Sequence, residues 1–369
     1  MFEIFTLRPD ARVVWRNPEV KRRLSWYYEV MVDLKPAKYR ICKRVPCDVN
    51  LSASVEELWD AHRKASEEFS KAWREVASGR LSLEELETPK TSLLDVKVEL
   101  VKRMLKSCVF CERRCGVDRE AGEKGFCQLD ATTRVSSFFH HYGEEAPLVP
   151  SGTIFFTSCS FKCVYCQNWD ISNDPYNGVE VTPKQLASIA TRLRREGCRN
   201  INYVGGNPDQ SMHTIVESLK YMDINVPILW NSNAYASSEA MEILRDLVDI
   251  WLPDFKYGND SCAERLSLVP RYFKVVTRNL KVMHESGDII VRHLVLPNHL
   301  ECCTEPILRW LASNCPRCLV NIMEQYRPEH EVLRRPQLYP DIRRRPSMDE
   351  MKRAYSLAEE LGIVYEPVS

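Results

Sequence analysis

Cys159-Ser160-Phe161-Lys162-Cys163-Val164-Tyr165-Cys166 is the stretch on which the reading of this chain turns. It follows Thr153-Ile154-Phe155-Phe156-Thr157, whose β-branched and aromatic content predicts a strand. Cysteine thiolates are the usual holders of iron–sulfur clusters, and a cubane has four irons to hold. Three thiolates in one short loop leave one iron without a protein ligand, and an open coordination position is where chemistry can occur. Two other readings fit the same spacing. Offsets of four and three also line one face of a helix, which would make the three thiols buried and inert. A zinc ion would need a fourth ligand to close its tetrahedron.

The chain has 369 residues, enough for one large core and an additional small domain. Lys plus Arg and Asp plus Glu both number 51, so no bulk charge argues for a nucleic acid or an anionic membrane as partner. Runs such as Arg343-Arg344-Arg345 and the group Arg192, Arg194, Arg195 read as solvated faces. Met1-Phe2-Glu3-Ile4 lacks the basic region and apolar core of a signal peptide, and no apolar run has the length of a membrane span. A cytoplasmic protein is expected, and in that compartment grouped cysteines read as metal ligands or redox groups rather than disulfides.

Residues 1–105 are expected to form a helical N-terminal extension without chemistry of its own. Tyr27–Val32 reads as a strand. From Val55 to about Val76, Leu58, His62, Ala65, Phe69 and Trp73 fall at helical spacing behind a Ser54 cap. Another helix is expected from Leu83 to Leu105, interrupted around Pro89. Residues 106–130 hold Cys108, Cys111, Cys115 and Cys127, a four-cysteine metal knuckle that suits zinc or a second iron–sulfur cluster equally. Arg113, Arg114 and Arg119 would offset thiolate charge or bind an anionic partner.

Residues 131–369 alternate short apolar strands with capped helices, the pattern of a parallel α/β fold. Thr182-Pro183 starts one helix and Gly197 ends it. Strands are expected at Asn200–Val204, Pro227–Trp230, Ile250–Leu252, Ile289–Leu296 and Leu319–Met323. With the strand before the cysteine loop these make six strand–helix units, fewer than the eight of a closed barrel.

In such folds reactive groups gather where strands end. The second unit ends in Gly205-Gly206-Asn207, where two glycines let the backbone approach a ligand closely. The third ends in Asn231-Ser232-Asn233 and the fourth in Asp254-Phe255-Lys256, with Asp254 and Lys256 on one side of an extended segment. A surface ion pair is the alternative for that pair. Arg292 lies in an apolar strand and needs an anion, for which a cofactor or substrate carboxylate is the expected partner. His293 and His299 read as proton carriers or as structural histidines, and Glu324-Gln325-Tyr326 as lining of the mouth. Cys302, Cys303, Cys315 and Cys318 are expected not to be catalytic, although Cys315-Pro316-Arg317-Cys318 has metal-like spacing.

The cysteine loop, including Tyr165 before its last cysteine, resembles the signature of the radical S-adenosylmethionine superfamily. With Gly205-Gly206, Asn231–Tyr235, Asp254-x-Lys256 and Arg292, residues 107–330 are similar to its pyruvate formate-lyase activating enzyme-like branch. Asn207 stands where that superfamily has Glu. The resemblance implies a partial (β/α)6 TIM-type barrel and a [4Fe–4S] cluster on Cys159, Cys163 and Cys166. It also implies S-adenosylmethionine held by Tyr165, Gly205, Gly206, Asn231, Asn233, Asp254, Lys256 and Arg292. The activity implied is reductive cleavage of S-adenosylmethionine to a 5′-deoxyadenosyl radical, with an electron donor such as ferredoxin or flavodoxin. A glycyl-radical protein, another polypeptide or a small molecule would be the substrate. The competing classes are a non-enzymatic iron–sulfur or zinc protein for electron transfer or interaction, which predicts a fully ligated cluster, and radical modification of RNA, which predicts a basic face around the barrel mouth.

Overall fold

Ser151–Phe156, the strand before the cysteine loop, is β2 of an eight-stranded sheet ordered β3-β1-β2-β4-β5-β6-β7-β8. The computed structural model describes residues 8–369, so the reading of Met1–Ile4 lies outside the described residues. β4 (Asn200–Gly205), β5 (Ile228–Ser232), β6 (Ile250–Pro253), β7 (Asp288–Leu294) and β8 (Leu319–Met323) follow β2 in parallel register, close to the expected positions. The six parallel strands form the expected α/β partial barrel, open rather than closed. β1 (Arg134–His141) and β3 (Val179–Glu180) add an antiparallel edge that was not expected. Phe138 and Phe139 are both exposed and the register slips between Val135 and Ser137, so β1 lacks the clean alternation that marks a strand in sequence.

The extension contains no strand among its described residues. Tyr27–Val32 was expected in one, but α1 (Pro18–Arg23) is followed by α2 (Ser25–Met31). Trp26, Tyr27, Val30 and Met31 are the buried residues, which is helical periodicity; alternation would have paired Tyr28 with Val30. After α3 (Lys38–Cys42), α4 (Val55–Ala77) runs as anticipated from a Ser54–Glu57 capping box. The break around Pro89 is wider than expected, and α5 (Leu93–Arg103) starts only at its own cap, Ser92. The extension is tied to the barrel by Asp249, which accepts from Trp26 Nε1 at 2.8 Å, Lys38 N at 3.0 Å and Ile228 N at 2.8 Å. Burial pushes the Asp249 carboxyl up to about 6, and those three donors and the Lys38 charge oppose the rise.

Around the sheet lie α6 (Trp169–Asn173), α7 (Pro183–Arg195), α8 (Met212–Ser218), α9 (Ser238–Leu244), α10 (Asp260–Ser267), α11 (Tyr272–Ser286), α12 (Glu305–Asn314) and α13 (Met348–Glu360). Thr182 and Gln185 cap α7 reciprocally, and Leu186, Ala190 and Leu193 are its buried stripe. No helix among the described residues is long and apolar enough to cross a membrane.

Candidate active site

The cysteine loop leaves the sheet at the carboxyl end of β2, where Ser158 turns at φ +69°. Cys159 is buried, while Cys163 and Cys166 are half-buried, as a group that must meet a diffusible ligand requires. Each sulfur has a hydrogen-bond partner. Cys159 Sγ accepts from Phe161 N at 3.3 Å and lies 3.6 Å from Asn233 Nδ2. Cys163 Sγ accepts from Ser267 Oγ at 2.9 Å, and Cys166 Sγ lies 3.3 Å from Ser172 Oγ. Burial pushes the Cys159 thiol up to about 12 and raises Cys163 as well. Such thiols ionise only when a cation replaces the proton, and donors already aimed at the sulfurs then disperse the thiolate charge. The donor set therefore fits a metal cluster: three sulfurs in one loop, with neighbours that donate to them rather than compete as ligands.

The expected strand-end residues come together here. Gly205 presses on the end of β2 and Gly206 on the turn into the cysteine loop: a Cβ on Gly205 would meet Phe156 N and O at 2.2 Å, and one on Gly206 would meet Ser158 O at 1.9 Å. That contact, rather than room for a ligand alone, explains why both positions lack side chains. Asn207, in place of a glutamate, joins two of the strand ends. Its Oδ1 accepts from Asn233 N at 2.9 Å, and Asn233 Nδ2 donates to Ser160 Oγ at 3.0 Å. Asn231 is buried at the end of β5, in register with Leu252. Lys256 Nζ donates to Asp254 Oδ2 at 2.7 Å. Burial disfavours the ammonium, but Asp254 and the nearby Cys163 and Cys166 outweigh it and hold Lys256 above its ordinary range. A cation beside Cys163 and Cys166 is a different object from a surface ion pair.

Two residues expected to meet the cofactor have partners within the chain. Arg292 finds its anion within the chain, because Glu145 binds the guanidinium through both carboxylate oxygens at 2.7 Å and Glu144 pairs with it as well. Both glutamates are almost fully buried, and they follow β1 at the opposite edge of the sheet. Asn202 Nδ2 on β4 donates to Glu144 at 2.9 Å and Asn321 Nδ2 on β8 to Glu145 at 2.7 Å, so the clamp spans the barrel interior. Sequence could place an anion requirement on Arg292 but not choose between a cofactor and Glu144-Glu145. Tyr165, expected against the cofactor, is buried, with its ring edge-on to Tyr326 at 5.6 Å and its hydroxyl 2.7 Å from Tyr257. Tyr257 Oη lies 2.5 Å from Ser267 Oγ. Tyr165, Tyr257 and Ser267 thus form a chain of hydroxyls that ends on Cys163, and neither Tyr257 nor Ser267 stood out in the sequence.

The four-cysteine knuckle packs against the same loop. Cys108, Cys111, Cys115 and Cys127 line one small pocket together with Arg113, Phe126, Ser160 and Gln210. Cys111 and Cys127 are raised by burial. Arg113 alone among the three arginines lies between knuckle and loop: it stacks on Phe126 at 3.7 Å and donates to Ser160 O at 3.1 Å. Arg114 turns to Glu239 and Glu112, and Arg119 is buried on the carbonyls of Asp130 and Gln210. His293 is a structural histidine, held between Phe255 O and Thr304 Oγ1 at 2.9 Å each. Cys315 and Cys318 are buried with thiols pushed up by desolvation. Of the sixth strand end, Glu324 and Gln325 line a broad cleft with Glu144 and Glu145, while Tyr326 is buried on Ile342 O.

Residues 153–311 match the Radical SAM superfamily. The chain is 42% identical over 352 residues to MJ0674 of Methanocaldococcus jannaschii, a protein described as uncharacterized, covering 93% of this chain and 100% of that one. Among solved structures, a radical SAM methyltransferase from Sphaerobacter thermophilus superposes with a TM-score of 0.41 at 14% identity, over 62% of this chain and 67% of that one. Streptococcus suis SuiB bound to S-adenosylmethionine gives a TM-score of 0.40 at 14% identity over 57% of this chain, which spans 48% of SuiB.

Proposed function

The chain carries a radical SAM superfamily domain and belongs to one family with MJ0674, and from that premise we propose that Cys159, Cys163 and Cys166 hold its [4Fe–4S] cluster and that a polypeptide is its substrate. A [4Fe–4S] cluster and S-adenosylmethionine are the cofactors of this superfamily, and when bound they supply one electron and a 5′-deoxyadenosyl radical for hydrogen abstraction. The observation that carries the reading is the gathering of four strand ends on one half-exposed cysteine loop. The residues of the chain divide the remaining work. Asn233, Ser267 and Ser172 donate to the three sulfurs, and hydrogen bonds to cluster sulfurs tune the potential. Lys256, held charged beside Cys163 and Cys166, meets the carboxylate of S-adenosylmethionine, while Asp254 orients the ammonium. Gly205, Gly206, Asn207 and Asn231 line the approach to the cofactor amino group. The Asp254-x-Lys256 pair and the Asn231–Asn233 stretch resemble motifs of the activases of glycyl-radical enzymes, and that resemblance favours activation of a polypeptide over a small molecule. A ferredoxin or flavodoxin is the fitting electron donor, and the hydrogen bond from Arg113 to Ser160 O supports a knuckle that relays that electron or contacts the substrate.

Anaerobic reconstitution with iron and sulfide, reduction, and assay for 5′-deoxyadenosine test the proposal. The native chain is expected to form the product, and replacement of any loop cysteine by Ala to abolish it. A reconstituted, reduced cluster that binds no S-adenosylmethionine and yields no 5′-deoxyadenosine would make the chain an electron carrier instead.

A further inference from the structure

Cys262, His299, Cys302 and Cys303 offer three sulfurs and one nitrogen that all lie within 4.8 Å of one another. No other set of three or more His, Cys, Asp or Glu ligand atoms converges this closely among the described residues. Cys262 stands in the first turn of α10, after β6, and the other three occupy the π-helical turn at residues 300–304 and its N-terminal flank, after β7. His299 Nδ1 is 3.3 Å from Cys302 Sγ, 3.6 Å from Cys262 Sγ and 3.8 Å from Cys303 Sγ. Cys302 Sγ is 3.9 Å from both Cys262 Sγ and Cys303 Sγ.

A tetrahedral ion bound at about 2.3 Å to sulfur and about 2.0 Å to nitrogen holds its ligand atoms roughly 3.5–3.8 Å apart. The quartet matches that spacing. The sulfurs are too far apart for a disulfide, whose S–S bond is about 2.0 Å. They are also too close for a cubane, whose irons force the ligands outward. The far side of the imidazole is prepared as well. His299 Nε2 lies 2.8 Å from Asp341, and Asp341 is in turn paired with Arg265. A proton on Nε2 shared with that carboxylate leaves Nδ1 free to bind a metal, the usual outer arrangement of a metal-bound histidine. Asn259 Nδ2 donates to Cys262 Sγ at 3.4 Å and to Cys302 O at 2.7 Å, which ties the two halves together. His299 and Cys303 are buried.

We propose that Cys262, His299, Cys302 and Cys303 bind a zinc ion as a closed structural site, separate from the cysteine loop and the knuckle. Four protein ligands leave no position for substrate, so the ion pins α10 to the turn after β7. α10 is the helix that braces the cysteine loop: Ser267 donates to Cys163, and Ser267 O and Leu266 O accept from Lys162 N at 3.0 Å and Val164 N at 2.9 Å. The zinc thus fixes the distance between the loop and the fourth and fifth strand ends.

The full chain, purified anaerobically, is analysed for zinc and iron beside His299→Ala, Cys302→Ser and the knuckle variant Cys111→Ser. His299→Ala and Cys302→Ser are expected each to lose about one zinc per chain, and Cys111→Ser to keep it. Zinc-edge X-ray absorption on Cys111→Ser, where the knuckle has lost one of its four sulfurs and can give no four-sulfur shell, is expected to show three sulfurs and one nitrogen. A zinc-free native chain, a four-sulfur shell in Cys111→Ser, full zinc retention by His299→Ala, or a disulfide among the three cysteines in freshly isolated protein would overturn the assignment. None of these readings depends on S-adenosylmethionine cleavage, so the zinc site and the proposed activity stand or fall separately.

Discussion

Arg292→Met tests whether the clamp inside the barrel is a structural anion trap. The arginine side chain is 14% exposed, against 4% for Glu144 and 1% for Glu145. Removing one member of a buried ion pair strands its partner and costs about 3–5 kcal/mol. Asn202 and Asn321 still donate to the two carboxylates, which places the expected loss near 3 kcal/mol at neutral pH. In the native chain burial opposes ionisation of Glu144, but Arg292, with His141 at 3.2 Å from the same carboxylate, outweighs it and holds that carboxyl down to about 2, from 4.5. A depressed folded pKa contributes stability that is complete above the unfolded value and is lost as pH falls through the folded one. Native stability should therefore be insensitive to Glu144 from about pH 8 to pH 5 and decline only as pH drops toward 2. In Arg292→Met the sign reverses, because the main cation is gone and burial, the largest single cause, raises the carboxyl pKa against His141 and Asn202 alone. Each proton taken up on folding then recovers about 1.4 kcal/mol per pH unit. Thermal unfolding of the native chain, Arg292→Met and the triple variant with Glu144→Gln and Glu145→Gln, at about pH 8 and pH 5.5, reads this out. The single variant should melt several degrees lower at pH 8, recover part of the deficit at pH 5.5, and be largely rescued in the triple variant. A deficit below about 1 kcal/mol, or one equal at both pH values, would refute the clamp.

Ser267→Ala removes the 2.9 Å donor to Cys163; a lost hydrogen bond of about 1 kcal/mol corresponds to a cluster potential roughly 40 mV more negative, measured by redox titration, and no shift would show that the hydroxyl does not bond the ligated sulfur. Lys256→Met removes a charged donor and should weaken S-adenosylmethionine binding about 10-fold or more with iron content unchanged, read by calorimetry on the reconstituted protein; an unaltered Kd would remove Lys256 from the cofactor site. Asp249→Ala leaves the buried Trp26 Nε1 and two backbone N–H groups without their acceptor; a loss of at least about 2 kcal/mol is expected, with faster proteolysis between the described helices of the extension, and native-like resistance would count against Asp249 as the tether.

The six parallel strands were legible because each is a short apolar run bounded by capped helices, and sheet neighbours follow chain order. Their ends were legible because Gly205-Gly206-Asn207, Asn231-Ser232-Asn233 and Asp254-Phe255-Lys256 put polar groups where an apolar strand stops. What stayed hidden was pairing at long range. Arg292 and Glu144-Glu145 are separated by most of the barrel in sequence, and nothing local says that one answers the other. Cys262 likewise lies far before His299, Cys302 and Cys303, so three ligands of a quartet looked like a stray cysteine pair beside a histidine. Tyr257 and Ser267 carry no motif; only folding aligns them with Cys163. The strand expected at Tyr27–Val32 failed because β-branched and aromatic residues suit a buried helix as readily as a strand when the run is short.

The three cysteine groups have one mechanical relation. A loop that must hold a cluster and stay open to a ligand gains little from core packing on its exposed side, so its geometry has to be imposed by neighbours. The knuckle holds one flank, through Arg113 on Ser160 O and through Ser158, which donates to Cys127 O. α10 holds the other, through the backbone bonds at Lys162 and Val164 and the hydroxyl of Ser267. Each flank is itself gathered by cysteines: four in the knuckle, three with a histidine around the start of α10. Metal ligation fixes position more sharply than apolar contact, because a bond length tolerates far less play than a van der Waals surface. Loss of the proposed zinc from the α10 flank, or of any metal the knuckle holds, should therefore broaden the electronic signals of the loop cluster before it lowers its iron content. The opposite order, iron lost first with sharp signals in what remains, would mean that the flanks merely shield the loop.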